Sequence, residues 1–267
     1  MIVLSWNIRG IGNANTLKNI CFSHKPDIIC LYEPMVTFDH TSNQFWHSVG
    51  MKLLATNVKP GTLPSIWILH SIHINPPTIV SNSSQQISFT LPTPKGSLLM
   101  SAVYASNNYV ARRQLWFDLT GTSVNHPLPW SIVGDFNCIL GAHEKRGGCS
   151  PNARSCEDFQ AWTDTCSLVH LNTVGPLYTW SKRGFPDMDS RLDRSICNQQ
   201  WLTFWDSVAC LALHRNDSDH TPSSSNLHTS PSLVPNLLSS SLPGLLIPLS
   251  WRLLLVLGLV LSMPLVL

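Results

Sequence analysis

Two polar side chains follow a short apolar, strand-like run at residues 131–134 and are the first candidates for chemistry. Asp135 and Asn137 lie one residue apart, so in an extended backbone they point to the same side while Phe136 points the other way. A carboxylate and an amide therefore converge on one point and form a small hydrogen-bonding site. The same pair also suits an Asx turn that caps a strand, and this stretch alone does not decide between the two.

Polar groups recur at the ends of other predicted strands. Each has an ordinary structural explanation, such as satisfying a turn or packing an amphipathic ring, but their recurrence at successive strand ends favours one shared site. The strands at residues 2–6, 28–32, 97–104 and 191–196 supply most of these groups, and a loop before residue 221 supplies the last two. The complete set is Asn7, Glu33, Tyr104, Asp135 with Asn137, Asp193, and Asp219 with His220.

The pattern of elements predicts an α+β fold. Strand-like segments outnumber helical ones, and many neighbouring strands are joined by loops too short for a crossover helix, which favours a largely antiparallel sandwich with helices outside. One helix is predicted at residues 109–119, with Leu115 and Trp116 on its buried face and Arg112 and Arg113 pointing outward.

Composition sets broad limits. The chain has 267 residues, 43% of them hydrophobic, and a formal net charge of +2, so bulk charge identifies no partner. Its eight cysteines show neither a C-x-x-C pair nor zinc-site spacing, which predicts reduced thiols in an intracellular protein. The first residues have no basic segment and no apolar core of sufficient length, so we expect no signal peptide.

The motifs at these strand ends resemble the endonuclease/exonuclease/phosphatase superfamily, and most closely the apurinic-type endonuclease domain of plant LINE (non-LTR) retrotransposons. The resemblance spans residues 1–222 and implies a DNase I-like four-layer α/β/β/α sandwich with two largely antiparallel sheets, a nuclear location and DNA as the partner. The motifs, in order, are SWNIRG from Ser5, LYE to Glu33, YASN from Tyr104, GDFN from Gly134, EKRGG from Glu144, YTWS from Tyr178, RLDR from Arg191 and SDH to His220.

The resemblance implies metal-assisted hydrolysis of a phosphodiester bond. Glu33 would hold Mg²⁺, with Asn7 beside it, Asp219 nearby, and Mn²⁺ as a substitute ion. A hard cation of this kind prefers oxygen ligands and keeps several of its waters, so few protein ligands are needed.

The other strand-end residues would act on water and phosphate. The resemblance implies that Asp135, oriented by Asn137, positions or deprotonates the attacking water. His220 would hydrogen-bond the scissile phosphate, held in its tautomer by Asp193, and Tyr104 would donate to a phosphate oxygen.

Contacts to the DNA backbone are a weaker expectation. The side chains proposed for them are Arg9, Asn107, Lys145, Arg146, Lys182, Arg183 and Arg191. For Arg191 and Arg194 a solvated strand face is an equal alternative, and Trp180 is expected in the core rather than as a platform for bases.

The end of the chain differs in composition from the rest. From Thr221 to Leu267 the only formal charge is Arg252, and the segment is rich in Ser, Pro and Leu. No closing apolar strand is visible after residue 222, so we expect residues 223–267 to lie outside the fold, as a frameshift or misjoined gene would produce. A membrane anchor at residues 253–267 is the competing interpretation, although the uninterrupted apolar run is shorter than the roughly 20 residues that span a bilayer.

Two alternatives to an active nuclease follow. The same fold could serve a phosphatase or phosphodiesterase acting on inositol phosphates or sphingolipid head groups. A truncated, inactive remnant is the other, because a missing last strand would leave a row of backbone groups unpaired.

Overall fold

The computed structural model describes residues 1–182, 188–215 and 218–228. Within these residues the strands are β1 (Ile2–Asn7), β2 (Ile28–Tyr32), β3 (Met51–Thr56), β4 (Ile66–Ser71), β5 (Thr78–Asn82), β6 (Gln86–Thr93), β7 (Gly96–Tyr104), β8 (Trp130–Asp135), β9 (Lys145–Arg146), β10 (Val169–His170), β11 (Thr173–Val174), β12 (Trp180–Ser181), β13 (Asp189–Ser190), β14 (Asp193–Cys197), β15 (Ser207–Ala212) and β16 (Ser223–His228). The helices are α1 (Ala14–His24), α2 (Asn43–Ser48), α3 (Tyr109–Asn125), α4 (Ala153–Thr165) and α5 (Gln199–Phe204), with short 3-10 turns at Ile11–Asn13, Phe38–His40 and Ala142–Glu144.

The strands form two large sheets. In the first the order is β11-β15-β16-β1-β2-β4-β3, and in the second it is β10-β14-β8-β7-β6-β5. Most neighbours are antiparallel, but β1 with β2, β7 with β8, and β11 with β15 are parallel. The sheets are therefore mixed, with the largely antiparallel character that the short connections predict.

Apolar residues divide into three clusters that define four layers. One cluster lies between the sheets and joins residues such as Ile68 of the first sheet to Phe89 of the second. A second packs α3 and α4 on the outer face of one sheet, through Trp116 and Phe159. The third packs α1 and α2 on the other outer face. Each sheet thus buries both faces, which explains why β2, β4 and β8 are buried along their whole length.

Strand β16 corrects the expectation that no strand follows residue 222. It pairs antiparallel with both β1 and β15, near the middle of the first sheet. Its sequence, SSSNLH, has no apolar alternation, so its only apolar core residue is Leu227. Backbone pairing on both sides positions it instead, with side-chain bonds such as Ser223 Oγ to the Ser5 carbonyl. The paired strands therefore continue past the predicted boundary to His228. Residues 229–267, with the tail and anchor predictions, lie outside the described residues.

Arg112 also differs from expectation. Its side chain is buried rather than pointing outward, and it donates to the carbonyls of Ser106 and Asn107 at 2.7 and 3.3 Å. It therefore fixes the loop that follows β7. All eight cysteines are free thiols, and no helix in the described part of the chain is long and apolar enough to cross a membrane.

Candidate functional site

The predicted polar strand ends meet at one edge of the sandwich. Parallel pairing of β1 with β2 aligns Asn7 with Tyr32, so that Glu33 follows at the same edge. In the second sheet, Tyr104 and Asp193 are both register partners of Asp135, one on each side. The carboxyl ends of parallel strands lie at the same edge of a sheet, and this topology brings the side chains together.

The buried amide of Asn7 links the two sheets. Its Nδ2 donates to Glu33 Oε1 at 2.9 Å and to Asp135 Oδ2 at 3.1 Å, and it lies 3.4 Å from His220 Nε2. Its Oδ1 accepts from the backbone amide of Arg9 at 3.3 Å. Asn7 thus acts as a donor that orients two carboxylates, and its place beside a metal ion stays a prediction.

Asp135 is held by donors on both of its oxygens. The backbone amide of Asn137 donates to Oδ1 at 3.0 Å, while the Asn137 side chain donates to the Ala105 carbonyl at 2.9 Å. Burial and the neighbouring Asp193 carboxylate raise the pKa of Asp135 to about 6. The carboxylate is therefore fixed in orientation and has a proton affinity suited to exchange with water near neutral pH.

His220 and Asp193 form a hydrogen-bonded pair. Nδ1 of His220 lies 2.9 Å from Asp193 Oδ2, and its Nε2 lies 3.7 Å from Asp135 Oδ2. Burial alone would lower the pKa of His220, but the carboxylates of Asp193, Asp135 and Asp219 raise it to about 9. The imidazole is thus protonated at neutral pH, with Nε2–H directed into the site.

Two hydroxyls that the sequence analysis did not assign hold this pair. Thr179 Oγ1 accepts from the backbone amides of Leu192 and Asp193 at 3.0 and 2.9 Å. Ser218 Oγ donates to the Asn7 carbonyl at 2.8 Å and accepts from the His220 amide at 3.1 Å. Both lie inside quoted motifs, but a hydroxyl that binds backbone has no sequence signal separating it from an exposed one.

Glu33 and Tyr104 make a second pair. The Tyr104 hydroxyl donates to Glu33 Oε1 at 2.7 Å. Burial, together with this bond to a carboxylate, raises the pKa of Tyr104, so its proton is retained. In the structure Tyr104 therefore orients Glu33, and its donation to a phosphate oxygen stays a prediction.

Asp219 and Glu33 both interact with the guanidinium of Arg9. Arg9 Nη1 hydrogen-bonds Asp219 Oδ2, and Arg9 Nε lies 3.8 Å from Glu33 Oε2. The indole of Trp180, which is partly buried, donates to the same Asp219 Oδ2 at 3.1 Å. Asp219 Oδ1 is buried and has no hydrogen-bond partner among the described residues.

Two groups of side chains have donor sets that suit a metal ion. Glu33 and Asp219 offer carboxylate oxygens, one of them unsatisfied, which fits a hard divalent cation. Asp135, Asp193 and His220 offer ligand atoms within 4.8 Å of one another. In the second group Asp193 Oδ2 is already engaged by His220 Nδ1, whereas the first group contains a buried carboxylate oxygen without a partner among the described residues.

Left-handed backbone marks three of these positions. Arg9, Glu33 and Asn137 have φ values of 48, 50 and 47°, which non-glycine residues seldom adopt. Such conformations persist where the surrounding structure fixes them, and they cluster at functional sites. Their placement at one edge agrees with the hydrogen-bond pattern.

The residues predicted to contact the DNA backbone differ in their exposure and in their partners. Lys182 and Asn107 are exposed, and Arg146 is exposed while pairing with Asp189 in the small sheet β12-β13-β9. Lys145 Nζ donates to the Cys149 carbonyl. Arg183 lies outside the described residues.

Arg191 and Arg194 are not on a solvated strand face. Arg194 is buried and forms a two-pronged ion pair with the buried Glu144. Arg191 Nη1 lies 3.8 Å from the same carboxylate. Local sequence could not reveal this pairing, because Glu144 lies 50 positions from Arg194 along the chain.

Comparisons with known proteins bear on the family and the fold. The sequence pattern of the Endonuclease/Exonuclease/phosphatase family matches residues 4–220. No curated protein matches the sequence.

Solved structures share the fold. The endonuclease domain of TRAS1, a telomere-specific non-LTR retrotransposon, is 16% identical, with a TM-score of 0.65 over 85% of this chain and 97% of that one. The 3′-5′ exonuclease NExo from Neisseria meningitidis is 16% identical, with a TM-score of 0.65 over 85% of this chain and 100% of that one. An AP endonuclease from Archaeoglobus fulgidus is 12% identical, with a TM-score of 0.67 over 85% of this chain and 99% of that one. The likeness confirms the predicted DNase I-like α+β sandwich.

Proposed function

The chain belongs to the endonuclease/exonuclease/phosphatase family, and we propose that it is a retroelement-derived, Mg²⁺-dependent endonuclease that nicks DNA by hydrolysing a phosphodiester bond. The observation that carries the proposal is the contact of the Asn7 amide with Glu33, Asp135 and His220 at one edge of both sheets. The Asp135 carboxylate and the cationic His220 imidazole thereby lie close to a second pair of carboxylates, Glu33 and Asp219, which we call the carboxylate corner. This set suits attack of water on a phosphate diester.

Asp135 is the proposed base. With its pKa raised to about 6, it is ionised at neutral pH yet retains a useful affinity for the proton of an attacking water. The amides of Asn137 and Asn7 fix its two oxygens, so that it cannot rotate away. A positioned base of this kind contributes about 10²- to 10⁴-fold to rate.

His220 is the proposed phosphate donor. Asp193 engages Nδ1, which leaves Nε2–H as the donor facing the site. A protonated donor fixed in advance stabilises the negative charge that develops on the phosphate oxygens. Thr179 and Ser218 hold the pair to the backbone, so reorientation during the reaction is small.

Glu33 and Asp219 are the residues that would hold the metal ion. When bound, a divalent cation would neutralise the phosphate and stabilise the departing oxygen. Tyr104 and Asn7 contribute by orienting Glu33 Oε1, which leaves Oε2 directed towards Arg9 and the corner that Asp219 shares.

A plasmid-nicking assay on the full chain tests the proposal. Supercoiled plasmid should be nicked with Mg²⁺ and remain intact with EDTA. We expect Asp135→Asn and His220→Ala each to lose about 10²- to 10⁴-fold in rate. Asp158→Asn makes the same chemical change on α4, in an ion pair with Arg113 on α3, and should retain full activity. Nicking by Asp135→Asn at the wild-type rate would refute the assigned role.

A phosphate-release assay distinguishes an endonuclease from a phosphatase of the same fold. One similar solved structure is described as a variant of the 3′ phosphatase NExo from Neisseria, bound to a product DNA hairpin. Release of phosphate from a 3′-phosphorylated oligonucleotide, or from inositol phosphates, with the plasmid left intact would favour a phosphatase of the same fold. Nicking without phosphate release supports the endonuclease.

A further inference from the structure

Arg9 contacts both carboxylates assigned to the metal ion. Its Nη1 hydrogen-bonds Asp219 Oδ2, and its Nε lies 3.8 Å from Glu33 Oε2. The sequence analysis placed Arg9 among residues that contact the DNA backbone. In the structure its guanidinium lies against both of these carboxylates, and the DNA contact stays a prediction.

The pattern of partners shows that this corner requires a cation. Glu33 Oε1 already accepts from Tyr104 and Asn7, so Oε2 is the oxygen left for a positive group. The Asp219 side chain is 2% exposed, and its charge meets Arg9 and the neutral indole of Trp180. A buried carboxylate without a nearby positive charge is costly, and Arg9 supplies that charge.

The Arg9 side chain can leave without disturbing the core. It is 50% exposed, whereas the side chain of Arg194, in the other carboxylate pair described above, is 2% exposed. Its guanidinium therefore approaches the corner from solvent. Arg9 is followed by Gly10 at φ 104°, where the backbone turns back towards β2 through a bond from the Gly10 amide to the Glu33 carbonyl at 2.7 Å.

We propose that Arg9 is an internal cation that competes with the divalent metal ion for Glu33 and Asp219, so that metal binding requires its guanidinium to withdraw. The inference rests on the proposed function, because that function assigns these carboxylates to the metal. Two positive charges held by the same pair of carboxylates repel each other, which disfavours binding of both at once. Arg9 thus sets the metal concentration at which the site fills and stabilises the fold when metal is scarce.

Metal binding measured directly tests the inference without reference to catalysis. Mn²⁺ would be titrated into the full chain and followed by loss of the free-ion EPR signal, with Arg9→Gln, Arg9→Lys and Arg113→Gln compared with the wild type. Arg113→Gln removes the same charge from a half-exposed ion pair on α3, with Asp158 of α4. We expect Arg9→Gln to bind Mn²⁺ at least about tenfold more tightly, and the other two to match the wild type.

Thermal unfolding in EDTA gives a second measurement. Arg9→Gln should melt below the wild type without metal and recover more than the wild type when Mn²⁺ is added. If Arg9→Gln binds Mn²⁺ no more tightly than Arg113→Gln, the inference is overturned while the proposed hydrolase stands. Absence of Mn²⁺ binding by wild type and Arg9→Gln alike would overturn both.

Discussion

His220 Nδ1 lies 2.9 Å from Asp193 Oδ2, and this contact joins the loop before β16 in one sheet to the first residue of β14 in the other. Three carboxylates face the imidazole: Asp193 from β14, Asp135 from β8, and Asp219 from its own loop. Asn7 approaches it from β1. The protonated imidazole therefore stabilises the fold as well as serving the proposed reaction.

Stability should fall as pH rises from about 6.5 to about 9. The folded pKa of His220, about 9, lies above the ordinary value of 6.5, so the folded state holds a proton that the unfolded state has released. The stabilisation is complete below pH 6.5 and is lost as pH rises through 9, by up to about 3 kcal/mol. Urea unfolding at pH 6.5, 7.5 and 9 in EDTA measures the change.

The control variant is His220→Gln, which keeps a polar side chain but cannot titrate. Its stability should change little over the same interval. The raised pKa of Asp135 lowers stability mainly in a lower window, from about 3.8 to about 6, and the positive charge of His220 opposes this rise in the pKa of Asp135. Equal pH dependence in the wild type and His220→Gln would rule out the assignment.

Ending the chain after Pro222 should prevent cooperative folding. This truncation removes β16 and leaves β1 and β15 with unpaired backbone groups on both facing edges. The loss of paired groups in the sheet centre is comparable to the whole stability of a domain. A chain ending after Ser230 keeps β16 and should melt cooperatively. Circular dichroism on both chains decides, and a cooperative transition in the shorter one would contradict the prediction.

Gly134→Ala should destabilise the fold severely. Gly134 has φ 146°, and a Cβ there would lie 2.0 Å from the Val103 carbonyl oxygen on β7. Since that contact is with backbone, β7 and β8 must separate, at a cost of about 3 kcal/mol or more. Gly121→Ala is the matched control, because a Cβ in α3 at that position meets nothing within 4 Å. It should stabilise by up to about 1 kcal/mol, and equal melting temperatures would refute the contrast.

The strands with apolar runs were predictable from sequence. The predicted strand at residues 28–32 matches β2, and the predicted start of the helix at residue 109 matches α3. Strand β2 is buried on both faces, so its hydrophobicity alone identifies it, whereas α3 is identified by the apolar face that carries Leu115 and Trp116. Asn7, Glu33 and Asp135 could also be identified, because each ends or directly follows an apolar strand, whereas Asp193 begins β14 and His220 lies in a loop.

The remaining features depend on tertiary pairing. Strand β16 contains three serines in succession and is set by backbone pairing with β1 and β15, which local sequence does not encode. Arg112 could not be placed, since the carbonyls it binds belong to a loop outside its helix. The contact of Arg9 with Asp219 spans 210 positions along the chain. The positions of the strand ends thus predict which site residues lie close together, but they do not predict which of their atoms form hydrogen bonds.

Glu144 and Arg194 should show strong energetic coupling. Their side chains are 3% and 2% exposed, and Arg194 binds both carboxylate oxygens of Glu144. Although burial opposes the charge, Arg194 lowers the pKa of Glu144 below its ordinary value. Glu144→Gln leaves a buried guanidinium without a carboxylate and should cost about 3–5 kcal/mol. Arg194→Met should cost less, because the Leu140 amide and Arg191 still face Glu144. In urea unfolding, the double variant should lose about 1–3 kcal/mol less unfolding free energy than the two single variants lose together. Additive losses would show that the pair is not coupled.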